Sequence, residues 1–320
     1  MHINRGLLFW GLALVTAGAV ALAGAQGWID IPIMADLWNF WPVILIVIGL
    51  AIVLSRTPFA VVGVVVAALV VGFAAGAVIA AGPSFATCGD VRGSQDTANG
   101  EFGASSANVS LDMNCGNLTV GLADGSSWQA VTTTEDGQAV GLTATTDSLD
   151  IRSNSGGFPF SHDRQEWNIT LGRDLSYDLS LTLNAADGTV DLSGGAFASL
   201  AAHPNAGSLH MNLAGSAVSG LDIQLNAGSL SLATDAGTQL AGRIGINAGS
   251  VDLCTHPEAG LRIRVDANIT FAHNLDTSGL QKSGEGTYTS ANFDSAAQTI
   301  DLELQGNAAS FTLNPEEGCA

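Results

Sequence analysis

Asn205-Ala206-Gly207-Ser208-Leu209 recurs as Asn226-Ala227-Gly228-Ser229-Leu230 and again as Asn247-Ala248-Gly249-Ser250-Val251, a period of 21 residues. A period of this length marks an architecture in which each unit buries its apolar face only by stacking on the next. Within a unit apolar residues alternate, with Leu209, Met211 and Leu213 in one segment and Leu221, Ile223 and Leu225 in the next. Period-two alternation is a strand signature, so each repeat is expected to hold about two short strands joined by an Asn-Ala-Gly turn.

Leu209, Leu230 and Val251 fall one period apart, as do Ile223, Ile244 and Val265. Like residues would then sit over like residues in an all-β parallel solenoid of about 21 residues per coil, with successive coils about 4.8 Å apart. Asn205, Asn226 and Asn247 are expected to form a ladder at the turn, because stacked side-chain amides hydrogen-bond up and down a column. A relaxed form of the phrase also fits Ala107 to Leu111, Gly116 to Val120, Asp147 to Ile151, Gly188 to Leu192 and Ala309 to Leu313. The expected β-solenoid domain therefore runs from 107 to 320, entered by a polar linker over 83–106.

Ahead of it, residues 6–25, Leu37 to Leu54 and Phe59 to Ala81 are strongly apolar and contain no charged residue. Each is long enough for a helix to cross roughly 30 Å of hydrocarbon. The reading is a three-span transmembrane region over 1–82. Ala21-Leu22-Ala23 also resembles a cleavage site, but the first apolar run is longer than a signal-peptide core usually is. Arg5 precedes the first stretch, Arg56 lies between the second and third, and the intervening segment Gln26 to Asp36 has no Lys or Arg. The positive-inside rule then puts the N-terminus in the cytoplasm and the C-terminal domain outside a bacterial plasma membrane, as a multi-pass protein.

The formal net charge is −19, and lysine appears once. Such a surface repels nucleic acid and offers no polybasic patch to anionic lipid. Four cysteines, Cys88, Cys115, Cys254 and Cys319, show no zinc-ligand spacing. An even count in a domain outside the membrane suggests two disulfides. Of the three possible connectivities the simplest is Cys88 to Cys115 with Cys254 to Cys319, which would pin the exposed ends of a solenoid.

The chain has no G-x-S-x-G elbow, H-E-x-x-H, P-loop or dinucleotide fingerprint. The six histidines are scattered, and Asp191, Asp222 and Asp252 belong to two different strand columns, so no paired carboxylate site is indicated. His162, Asp163 and Glu166 form one local polar cluster able to bind a metal or ligand, against the plainer reading of a solvated loop. The four Asn-x-Ser/Thr sequons are what turn-then-strand alternation produces by itself. No cofactor is expected, and the chain is read as a non-enzyme.

Two resemblances cover most of the chain. Arg5-Gly6-Leu7-Leu8-Phe9-Trp10-Gly11, followed by Leu37-Trp38-Asn39-Phe40-Trp41-Pro42-Val43-Ile44-Leu45-Ile46-Val47-Ile48-Gly49-Leu50, resembles the LiaI/LiaF-type transmembrane region of bacterial envelope-stress proteins. Leu175-Ser176-Tyr177-Asp178-Leu179, the Gly-Ser/Thr-apolar phrases and Gly279-Leu280 through Tyr288-Thr289-Ser290-Ala291-Asn292-Phe293 resemble the extracytoplasmic toast-rack, or "putative-adhesin", β-solenoid. The resemblance implies a membrane partner of a histidine kinase that senses cell-wall damage, without a catalytic centre. The alternative it leaves open is an adhesin-like module that binds polysaccharide or another surface protein through the solenoid face.

Overall fold

The computed structural model describes residues 93–134, 140–154, 164–267, 271–284 and 286–319, together with 10–12, 14–16, 19 and 68–69. The chain divides into two units, Met1–Thr87 and Cys88–Ala320.

The second unit opens with β1 (Ser94–Glu101), β2 (Ser106–Ala123), β3 (Ser127–Thr134), β4 (Gly141–Ala144), β5 (Ser148–Arg152) and β6 (Gln165–Gly172). It continues with β7 (Ser176–Asp191), β8 (Ala196–Pro204), β9 (Ser208–Asn212), β10 (Ala217–Ala233) and β11 (Gln239–Cys254). It closes with β12 (Gly260–Ala267), β13 (Ala272–His273), a 3-10 turn at Leu275–Thr277, β14 (Gln281–Ser283), β15 (Thr287–Thr289) and β16 (Thr299–Leu313). All sixteen belong to one sheet, whose main path runs β1-β3-β6-β2-β7-β8-β10-β11-β16-β12-β15-β14.

The long strands explain how one sheet encloses a core. In β10, Leu221, Ile223 and Leu225 are buried, Asn226, Ala227 and Gly228 are exposed, and Leu230 and Leu232 are buried again. Its first part pairs with β8 and its second with β9, so a single strand turns the corner between two faces without leaving the ladder. The corner requires glycine. Gly228 has φ 127° and Gly249 φ 135°, and a Cβ added to them would lie 1.9 Å from the Gly207 carbonyl oxygen and 2.1 Å from that of Gly228. Inside, Leu209, Leu230, Val251 and Phe311 are successive register partners across β9, β10, β11 and β16, all buried. They belong to one continuous apolar core that extends from Phe102 to Leu313.

The fold class read from the sequence needs correction on two counts. Among the described residues no helix is long and apolar enough to cross a membrane. The three apolar stretches lie almost wholly outside the described residues, and three transmembrane helices are not supported.

The second correction concerns the coils, which do not simply follow one another in chain order. The 21-residue register holds between β9 and β10 and between β10 and β11. At the two ends insertions fold around the stack. β2 is flanked by β5 and β6 on one side and by β7 on the other, so Asn108 meets both Ser148 and Asp178. β16 lies between β11 and β12, so Leu304 separates Ile244 from Val265, which the period alone would make neighbours. Antiparallel pairs, β1 with β3, β3 with β6, β4 with β5 and β12 with β15, close the two ends. End capping is needed because a stack of parallel coils otherwise exposes its apolar interior and strand edges there.

Candidate interaction surface

The outer surface is built from side chains that repeat from coil to coil. At the corner, the Nδ2 of Asn205 donates to Asn184 Oδ1 (2.7 Å), that of Asn226 to Asn205 (2.5 Å) and that of Asn247 to Asn226 (2.7 Å). The ladder continues past these three. Asn184 donates to Asn114 (2.9 Å) and Asn307 donates to Asn247 (3.1 Å), so six asparagines run across β2, β7, β10, β11 and β16 with Asn205 between β8 and β9. Asn114, Asn184 and Asn307 were missed because their phrases are degenerate. Asn307-Ala308-Ala309-Ser310-Phe311 is nonetheless the same phrase with Ala for Gly, and Asn114-Cys115-Gly116-Asn117-Leu118 keeps its Asn, Gly and apolar positions.

Acidic side chains are likewise tied to the neighbouring coil. Asp187 Oδ1 accepts from the Ser208 backbone N–H (2.9 Å) and hydroxyl (2.6 Å), and Asp191 accepts from Asn212 Nδ2 (3.1 Å). Arg243 Nη2 donates to Asp222 Oδ2 at 2.6 Å. That guanidinium holds the Asp222 carboxyl below its ordinary range, helped by the Gln224 amide. Asp301 pairs with Arg262 and with Arg264, and Arg262 also lies over the Phe293 ring at 4.4 Å. Asp252 faces outward between Ser231 and Thr312 in register. The three aspartates considered as carboxylate-pair candidates therefore stay apart, and two of them serve as cross-coil acceptors.

A different carboxylate organises a turn. Asp235 Oδ1 accepts from the backbone N–H of Gly215 (2.7 Å) and Gly237 (2.9 Å) and from the Thr238 hydroxyl (2.9 Å). The Gly215 N–H is the main cause of its lowered pKa. In the core Tyr177 donates to the Gly172 carbonyl (2.5 Å), and burial pushes its phenol up to about 12.

Cys254 and Cys319 are joined, with Cα atoms 5.8 Å apart, so the end of β11 is tied to the tail beyond β16. Cys115 is disulfide-bonded as well, while Cys88 lies outside the described residues. His162 and Asp163 also lie outside them, and Glu166 is an exposed residue of β6. Among the described residues no group of three His, Cys, Asp or Glu is placed to hold a metal ion. What these residues present is a regular, polar, largely self-paired surface suited to contact.

Two families match the chain. Residues 88–252 match the N-terminal domain of toast_rack, and residues 8–53 match the LiaI-LiaF-like transmembrane region. No curated protein matches. Among solved structures, a "putative cell adhesion protein" from Clostridium sporogenes is similar at 16% identity and a TM-score of 0.42, over 69% of this chain and 99% of its own. A "putative adhesin" from Bacteroides fragilis is similar at 9% identity and a TM-score of 0.25, over 70% of this chain and 98% of its own.

Proposed function

Because this chain belongs to the family of the toast_rack N-terminal domain, we propose that it is a non-enzymatic partner or regulator in bacterial envelope-stress sensing, acting through protein contacts made by its β domain. The chain is a membrane-anchored envelope protein, with a LiaI-LiaF-like region ahead of the β unit. The observation that carries the proposal is this combination on one chain. The β domain stands outside the membrane in this reading, with Arg5 on the cytoplasmic side. The Cys254–Cys319 bond supports that placement, since disulfides persist in oxidising compartments.

A membrane histidine kinase is the partner class this reading favours. The test is crosslinking and affinity capture of the full chain from membranes, beside a chain lacking residues 8–53. A kinase or other envelope protein retained by the full chain supports regulation. Retention of cell-wall glycan with no protein partner would replace it by the adhesive role.

A further inference from the structure

We propose that the chain pairs with a second copy of itself through β1, the two β1 strands running antiparallel about a two-fold axis at Ala98. The proposal does not depend on the regulatory reading above. The sheet's main path starts at β1 and ends at β14. An edge strand presents unpaired N–H and C=O groups that template a further strand, unless it is short, carries Lys or Pro, or is bulged. β14 is blunted in two of these ways, being three residues long with Lys282 at its centre. β1 has eight residues and neither Lys nor Pro, and it pairs with β3 residue for residue without a bulge.

One bond fixes which backbone groups are open. The Phe102 N–H donates to the Ser126 carbonyl, and in an antiparallel ladder residues that bond one neighbour alternate with residues that bond the other. The N–H and C=O of Ser94, Asp96, Ala98 and Gly100 therefore face β3. Those of Gln95, Thr97, Asn99 and Glu101 face away and have no partner among the described residues. Turned about an axis at Ala98, this edge is its own complement. Gln95 faces Glu101 and Thr97 faces Asn99, so every open residue is paired and each polar side chain lies beside one that can hydrogen-bond to it. Asp96 faces Gly100, and no acid opposes an acid. A second observation selects the same register. Trp128 is 5 % exposed, and its indole N–H makes no hydrogen bond among the described residues. A Cβ on Gly100 would lie 2.8 Å from Trp128 Nε1, so this donor sits over Gly100 on the edge strand itself. That is where the pairing brings the exposed Asp96 carboxylate of the second copy, on the indole's side of the sheet, as acceptor.

The test is disulfide crosslinking of the full chain in membranes. The described residues include no free cysteine, so an introduced thiol reports its own neighbour. Ala98 would face Ala98 of the second copy as a non-hydrogen-bonded pair, with Cα atoms about 4.5 Å apart and within disulfide reach. Ala98→Cys is expected to give a reducible dimer. Ser94→Cys, on the same strand but roughly 27 Å from its counterpart, should crosslink at least tenfold more slowly. Two further substitutions, each added to Ala98→Cys, check the pairing. Thr97→Pro deletes an N–H that β3 does not use, and Asp96→Ala deletes the acceptor for Trp128. Each should slow crosslinking about tenfold. A chain that stays monomeric with Ala98→Cys, equal crosslinking at Ser94→Cys, or a rate unchanged by either added substitution would overturn the pairing. So would a mixed disulfide between Ala98→Cys and a different protein, which would give the edge to that protein's strand instead.

Discussion

Asn226 holds its neighbours on both sides, donating to Asn205 and accepting from Asn247. Asn226→Ala removes two hydrogen bonds and leaves Asn205 and Asn247 each short of one. With net values of about 0.5–1.5 kcal/mol per bond, and partial exposure to water, a loss of about 1–2 kcal/mol is expected from chemical denaturation of the purified chain. Gly228→Ala should cost more, about 3 kcal/mol, because it meets both a positive φ and a carbonyl oxygen 1.9 Å from the new Cβ. A Gly228→Ala chain as stable as the parent would show that the corner does not take the conformation described. At this scale much was legible beforehand, since three copies of Asn-Ala-Gly-Ser fix Asn and Gly positions without any knowledge of the fold. The other three asparagines were not legible, because a side-chain amide needs only a neighbour 4.8 Å away and imposes little on the residues between.

Among the elements, β16 joins the C-terminal end of the stack out of chain order. Ile300, Leu302, Leu304, Phe311 and Leu313 are buried in it, and its neighbours β11 and β12 both precede it in sequence. The Cys254–Cys319 bond closes a separation of 65 residues across this junction. By loop-closure entropy that bond contributes about 4 kcal/mol at most. Cys319→Ser is therefore expected to lower stability by about 2–4 kcal/mol and to raise amide exchange first in β16, read by hydrogen exchange with mass spectrometry. Uniform faster exchange over the whole β unit would argue against a local lock. The sequence pattern marks β16 as a strand through the alternation of Ile300, Leu302 and Leu304. It could not say which strands would flank β16, because alternation looks the same for every edge.

On the scale of the molecule, acidity acts through the carboxylates that are bound in the folded chain. Asp222 and Asp235 have lowered pKa values, for which the Arg243 guanidinium and the Gly215 N–H are the leading causes. With a folded pKa below the unfolded value near 3.9, their contribution is full above about pH 5. It is lost as the pH falls through 4 toward the folded values, because the unfolded chain takes up protons first. Asp235→Asn should accordingly lower the melting temperature at pH 7 and narrow the gap between pH 7 and pH 3. A parallel shift at both pH values would remove Asp235 from the acid response. The sequence by itself determined the repeat, the inward column of Leu209, Leu230 and Val251 and the corner chemistry, because each depends only on spacing along the chain. Only the tertiary structure decided the order of the coils at the two ends and the arginine partners of Asp222 and Asp301. Those depend on which distant segments fold back against the stack, and a 21-residue period contains no information about segments that interrupt it.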